Sequence, residues 1–160
     1  MTDFEKALAV LSGSGVDFIV IGEEWLGALH GSAFTTLDLD VVYSRDRENI
    51  RRLATALRDH HPYLRNAPPG LPFAWDERTI RNGLNFTLTT DFGDLDLLGE
   101  IAGGGSYQAL LGRSHEVKGF GLSFQLVDLD MLIVLKRATG RPKDLLVIAE
   151  LQGILERRRK

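Results

Sequence analysis

Four aspartates carry the chemistry that this sequence offers most plainly. Asp38 and Asp40 sit in Leu37–Tyr43 (LDLDVVY), and Asp94 and Asp96 sit in Asp94–Gly99 (DLDLLG). In an extended chain, residues two apart leave the same face, with Cα atoms roughly 6.6 Å apart. Each pair therefore puts two carboxylates on one side, while Leu37, Leu39 and Val41, or Leu95 and Leu97, face the other. Carboxylates crowded at the end of a sheet repel one another unless a proton or cation intervenes. Mg²⁺ suits such a group, because it takes oxygen ligands and keeps room for waters and phosphates. Two such ions about 3.5–4 Å apart can clamp an in-line phosphoryl displacement.

A solvated strand edge is the competing reading of any single Asp-x-Asp pair. The chain contains its own control in Asp128-Leu129-Asp130, which has the same spelling but opens a helix. There aspartate favours the cap and the positive end of the dipole, so that pair reads as structural. The other two pairs lead into apolar strand cores, and they do so independently.

The elements that must position these residues follow from hydropathy. Asp3–Ser12 reads as a helix with Phe4, Ala7, Leu8 and Leu11 inward, and Asp17–Gly22 (DFIVIG) as a buried strand. Glu23–Leu29 reads as a second helix, stopped at Gly31. After the Leu37–Tyr43 strand, Ser44 or Asp46 can cap a helix with Ile50, Leu53, Ala54 and Leu57 inward and Glu48 paired with Arg52. The four prolines of His61–Pro72 mark a connecting loop. Leu84–Thr90 and Asp94–Gly99 form a hairpin, as do Ser114–Lys118 and Leu122–Val127. A glycine-rich loop, Ala102–Ser106, precedes a helical turn or two at Tyr107–Leu111. Helices over Asp128–Ala138 and Arg141–Glu156 close the chain, the last with Leu145, Ile148, Ala149 and Leu155 inward. The order predicts one domain of α/β (α+β) class, a mixed β-sheet with flanking helices.

Composition narrows the function. The 160 residues are 44% hydrophobic and 26% charged, which fits a soluble globular domain. A formal net charge of −3 argues against gripping nucleic acid by charge alone, although a nucleic-acid end can still be a substrate. No cysteine is present, so thiolate metal sites and disulfides are excluded, and a reducing cytoplasm is the expected setting. No apolar run approaches the roughly 20 residues that span a bilayer, and Met1–Leu11 lacks a signal-peptide layout, so no membrane partner is expected.

The succession Ile19-Val20-Ile21-Gly22, a short helix ending His30-Gly31, Thr36-Leu37-Asp38-Leu39-Asp40 and Gly93-Asp94-Leu95-Asp96-Leu97-Leu98 resembles the DNA polymerase β-type nucleotidyltransferase superfamily. Within it, the likeness is to small bacterial nucleotidyltransferase-like proteins, including toxins of the AbiEii type. Leu132–Leu145 is similar to their closing motif, and the resemblance runs from about Phe18 to Leu151. It implies that Asp38 and Asp40 hold two Mg²⁺ (or Mn²⁺) ions, and that Asp96 holds the catalytic one and draws the proton from the attacking hydroxyl. It further implies that Gly22, Lys136, Arg141, Lys143 and Asp144 contact the nucleotide or order the motif. The implied reaction moves a nucleoside monophosphate from an NTP to an acceptor hydroxyl on RNA, protein or a small molecule, with a cognate antitoxin as a possible partner. Glu23 and Glu24 follow Gly22, where backbone N–H groups would approach phosphate, and they motivate an alternative. That alternative is a catalytically impaired relative that keeps the fold and binds a partner or nucleotide. A metal-dependent phosphodiesterase or nuclease is a third reading of the same carboxylates.

Other polar features read more simply. Lys136 can be a solvated helix residue, and Pro142 and Asp144 suit the start of a helix. Gly103-Gly104-Gly105 lacks the lysine of a phosphate loop and reads as a flexible connection. His60 and His61 read as exposed loop histidines, His30 as a helix-end residue, Phe73 and Trp75 as cover for a core edge, and Arg157–Lys160 as a solvated tail.

Overall fold

A computed structural model of the chain describes residues 3–21, 38–140 and 142–159, with side chains for all of these except 38, 142–147 and 159. The expected helix Glu23–Leu29, with Gly22, Gly31 and His30, lies outside the described residues.

The chain alternates helix and strand because its apolar pattern does. Helix α1 (Phe4–Gly13) opens on Asp3, whose carboxylate accepts from Lys6 N, and it buries Ala7, Leu8 and Leu11 as the spacing predicts. Strand β1 (Phe18–Val20) is buried throughout and shorter than the expected Asp17–Gly22. Strand β2 (Asp38–Tyr43) leads into α2 (Arg47–Leu57), which buries Ile50, Leu53, Ala54 and Leu57. Asp46 holds the cap position of α2 but makes no capping hydrogen bond with its side chain; Ser44 Oγ instead accepts from Asp46 N. Glu48 pairs with Arg51 at 2.6 Å rather than with Arg52, which reaches back to Gly15 O.

The proline-rich stretch is more than a loop. It holds β3 (Tyr63–Leu64), an edge strand that pairs with β4 (Asn85–Thr90). Helix α3 (Glu77–Asn82), which hydropathy did not reveal, starts at Asp76, whose carboxylate accepts from Thr79 N. β4 and β5 (Gly93–Leu98) form the expected hairpin. β6 (Glu100–Ile101) and β7 (Gly105–Ser106) form a small separate sheet before α4 (Tyr107–Leu111). The second hairpin is β8 (Ser114–Gly119) with β9 (Leu122–Val127), followed by α5 (Leu129–Thr139) and α6 (Pro142–Arg159).

The seven-stranded sheet runs β3-β4-β5-β2-β1-β9-β8. β2 with β5 and β1 with β9 are parallel; the other neighbours are antiparallel, so the sheet is mixed as expected. Leu39, Val41, Leu95, Leu97 and Leu88 are fully or almost fully buried, which leaves their alternating neighbours on the opposite face. In α6, Ile148 is buried as expected, but Ala149 is exposed, and Leu151 and Ile154 take the inward positions. Gly140 turns α5 into α6 with a left-handed backbone (φ 63°), the conformation that glycine adopts without steric cost. Pro142 stands first in α6, as its fixed φ predicts.

Among the described residues, no helix is long and apolar enough to cross a membrane.

Candidate functional site

Parallel pairing of β2 with β5 sets the aspartates side by side. Asp38 stands opposite Asp94 and Asp40 opposite Asp96, with neighbouring strands about 4.8 Å apart. Backbone register alone achieves this, although the two strands lie more than fifty residues apart in the chain. The same register continues outward. Thr87 of β4 pairs with Asp96, and Arg65 N, just past β3, donates to Thr87 O at 2.9 Å. On the inner side, Ile21 N donates to Asp40 O at 3.1 Å. Ile21, Asp40, Asp96, Thr87 and Arg65 thus form one row across the sheet.

A cleft of about 470 Å³ opens over the inner half of this row, lined by Ile21, Asp40, Asp96, Leu98, Leu132 and Lys136 among others. Its far wall is α5. Leu132, Leu135, Lys136 and Thr139 follow the i, i+3, i+4, i+7 spacing that puts them on one helical face, so one stripe supplies both apolar contacts and the lysine. Asp40 is half-buried, and its Oδ1 is shielded from solvent. Asp96 is 23% exposed at its side chain.

Arg65 closes the outer side of the cluster. Its Nη2 donates to Asp96 Oδ1 at 2.7 Å and to Leu88 O at 2.9 Å, and its Nε lies 3.5 Å from Asp94 Oδ2. Its side chain is only 16% exposed. One guanidinium therefore sits against both acidic side chains of β5, and a charge-assisted bond of this length is among the stronger polar contacts a protein makes.

Two of the three carboxylates expected to hold a metal, Asp40 and Asp96, thus meet on one face beside Lys136. The side chain of Asp38 lies outside the described residues, as do Gly22, Arg141 and the side chains of Lys143 and Asp144. Among the described residues, no group of three or more His, Asp or Glu side chains is arranged to hold a metal ion. Asp94 shares the face of Asp96 but is directed to Arg65. Sequence reasoning missed Arg65 altogether. The only signal was Tyr63-Leu64-Arg65 between prolines, too short to show strand alternation.

The remaining polar candidates take structural positions. A Cβ on Gly103 would stand 2.7 Å from Ala138 Cβ, and one on Gly104 would stand 2.6 Å from Leu135 Cδ2, so the glycines let their loop lie directly on α5. That close contact corrects the expectation of a flexible connection. His60 is not a free loop histidine: its Nδ1 lies 2.9 Å from Asp91 Oδ1, and its ring sits 5.4 Å from that of Phe92. His61 is exposed in a left-handed turn. Asp128 holds the cap position of α5, but its carboxylate meets His115 Nδ1 at 2.7 Å, while Asp130 Oδ1 accepts from Met131 N. Phe73 and Trp75 pack on the core edge in a run of rings from Tyr63 to Phe86, as expected.

No protein-family model matches this chain, and comparison with curated proteins gives no match either.

Proposed function

We propose that this chain is a metal-dependent nucleotidyltransferase that moves a nucleoside monophosphate from an NTP to an acceptor hydroxyl. The observation that carries the reading is the parallel register of β2 and β5, which sets Asp40 beside Asp96 at a cleft containing Lys136. The donors are oxygens only, the set that suits Mg²⁺ or Mn²⁺. Asp38, Asp40 and Asp96 are the residues that would hold the metal, which would supply charge neutralisation on the phosphates and the leaving pyrophosphate.

This chain's own groups have distinct tasks in that reaction. Arg65 engages Asp96 through Oδ1, and Asp96 lines the cleft, so its other oxygen is the one that would meet the metal. Lys136, half-buried on α5, supplies positive charge for a phosphate across the cleft. The apolar wall of Ile21, Leu98, Leu132 and Leu135 limits water and strengthens the electrostatics inside. RNA, protein or a small molecule can present the acceptor hydroxyl, and a toxin with a cognate antitoxin is the cellular role that goes with the resemblance.

One observation favours a second reading. Arg65 already supplies positive charge to Asp94 and Asp96, so the cluster persists without a cation, as in a catalytically impaired relative that binds a nucleotide or partner. Incubation with each α-labelled NTP, Mg²⁺ and bulk RNA or protein separates the two. Covalent label on an acceptor, lost in Asp40→Asn, supports the transferase. NTP binding with no transfer to any acceptor leaves the binder, and strand cleavage without label points to a phosphodiesterase.

A further inference from the structure

Arg65 is placed to do more than hold an edge strand. It lies two strands from Asp96, about 9–10 Å away between Cα atoms, and it crosses Thr87 to reach the carboxylate. Solvent reaches only 16% of the side chain, and Leu88 O fixes the guanidinium from behind. Its contacts with the two carboxylates of β5 are unequal, 2.7 Å to Asp96 and 3.5 Å to Asp94. Asp40 stands on the inner side, at the cleft.

We propose that Arg65 is a resident counter-ion of the metal site, a positioning residue that keeps Asp94 out of the ligand set and lowers the site's affinity for a divalent cation. The proposal rests on the metal-dependent reading above. Three physical effects point the same way. A fixed positive charge beside Asp96 repels an arriving cation in a poorly solvated place. The bond to Asp96 Oδ1 takes one of the two oxygens that a cation could use. The ion pair with Asp94 gives that carboxylate a partner on the side away from the cleft. A cation would then enter between Asp40 and the remaining oxygen of Asp96, both at the cleft, and would be held loosely enough to need the phosphates of a nucleotide for full occupancy. Coupling metal to nucleotide in this way keeps the site from being locked by metal alone.

The test is Mn²⁺ titration followed by calorimetry and by electron paramagnetic resonance of the free ion, on the full chain without nucleotide. Arg65→Met should bind Mn²⁺ about tenfold or more tightly than the wild type, and Arg65→Lys, which keeps the charge, should stay within about threefold. Adding Asp94→Asn to Arg65→Met should remove part of the gain, because Asp94 is then available as a ligand. A merely structural arginine would lower thermal stability without tightening Mn²⁺ binding, and that result overturns the proposal while leaving the metal reading intact. Absence of Mn²⁺ binding in both wild type and Arg65→Met overturns the metal reading and this proposal together. Binding in Arg65→Met alone supports the counter-ion role in its strongest form. Should Arg65→Met fail to fold, the ¹⁵N signal of Arg65 Nε in the wild type decides. It should move as Mg²⁺ is added; a fixed signal while the metal binds contradicts the proposal.

Discussion

Arg65 Nη2 and Asp96 Oδ1 lie 2.7 Å apart, joined across the intervening strand β4. This contact ties the edge of the sheet to its acidic centre, so the stability of β3 and the charge of the site are coupled. Removing Asp96 takes the 2.7 Å contact from a poorly solvated guanidinium and leaves it the longer one to Asp94, and losing one partner of such a pair costs more than losing both. Asp96→Asn should therefore destabilise the fold by about 1–3 kcal/mol, measured by urea unfolding. Arg65→Met with Asp96→Asn should cost less than the sum of the single changes. Strict additivity would mean that the pair contributes nothing as a pair.

A buried hydroxyl sets a second dependence. Tyr43 is fully buried; its Oη donates to Leu84 O at 2.7 Å and accepts from Arg45 Nη1 at 2.7 Å. Burial raises its pKa above 10.0, against the smaller opposing effect of Arg45. The sign follows: the folded state holds this proton more tightly than the unfolded chain. The stability is fully present below pH 10.0 and is lost as the pH rises through the raised value. Tyr43→Phe should cost about 1–2 kcal/mol at neutral pH and flatten the alkaline limb of the stability profile. An unchanged alkaline limb in Tyr43→Phe would assign that dependence to other groups.

Asn49 fastens α2 to the sheet. It is 1% exposed; its Oδ1 accepts from Asp17 N at 2.6 Å, and its Nδ2 donates to Asp17 O and Ser44 O at 3.1 and 2.8 Å. Asn49→Ala removes the partner of three backbone groups at once and should cost about 2–4 kcal/mol. Thermal unfolding checks it, and a loss under about 0.5 kcal/mol, the size of a surface substitution, would show that water replaces the amide freely.

The glycine loop offers a steric test. Gly103 has φ +84°, and a Cβ there would meet Ala138 Cβ at 2.7 Å. Gly103→Ala should lose about 1–3 kcal/mol from overpacking and backbone strain, and it should push α5 off the loop. Because Lys136 rides on α5, the nucleotide binding proposed above should weaken with it. Stability loss with intact nucleotide affinity would separate the loop from the site.

Much of this architecture was legible in the chain, for reasons that differ by element. Long amphipathic stretches such as Phe4–Gly13 and Arg47–Leu57 announce their faces by period, and Leu39, Val41, Leu95 and Leu97 mark their strands by alternation. The Asp40–Asp96 neighbourhood followed from pattern plus resemblance, since parallel register is a long-range property that no local window contains. What stayed hidden was short or tertiary. Tyr63–Leu64 spans two residues between prolines, and Glu77–Asn82 spans under two turns, although Asp76 before it was a readable cap. Arg65 belongs to the site only through strand order, which places β3 beyond β4. Ala149 was misjudged because Leu151 and Ile154 make the larger apolar stripe of α6 and turn the helix accordingly.

The central claim is that carboxylates from β2 and β5 share one divalent cation. Mn²⁺ titration by calorimetry, comparing the wild type with Asp40→Asn and Asp96→Asn in folded protein, tests it most directly. Saturable binding in the wild type that weakens at least about tenfold in each variant is the expected result, as for loss of a charged ligand. Equal Mn²⁺ binding in all three proteins, or none in the wild type with or without NTP, would contradict it.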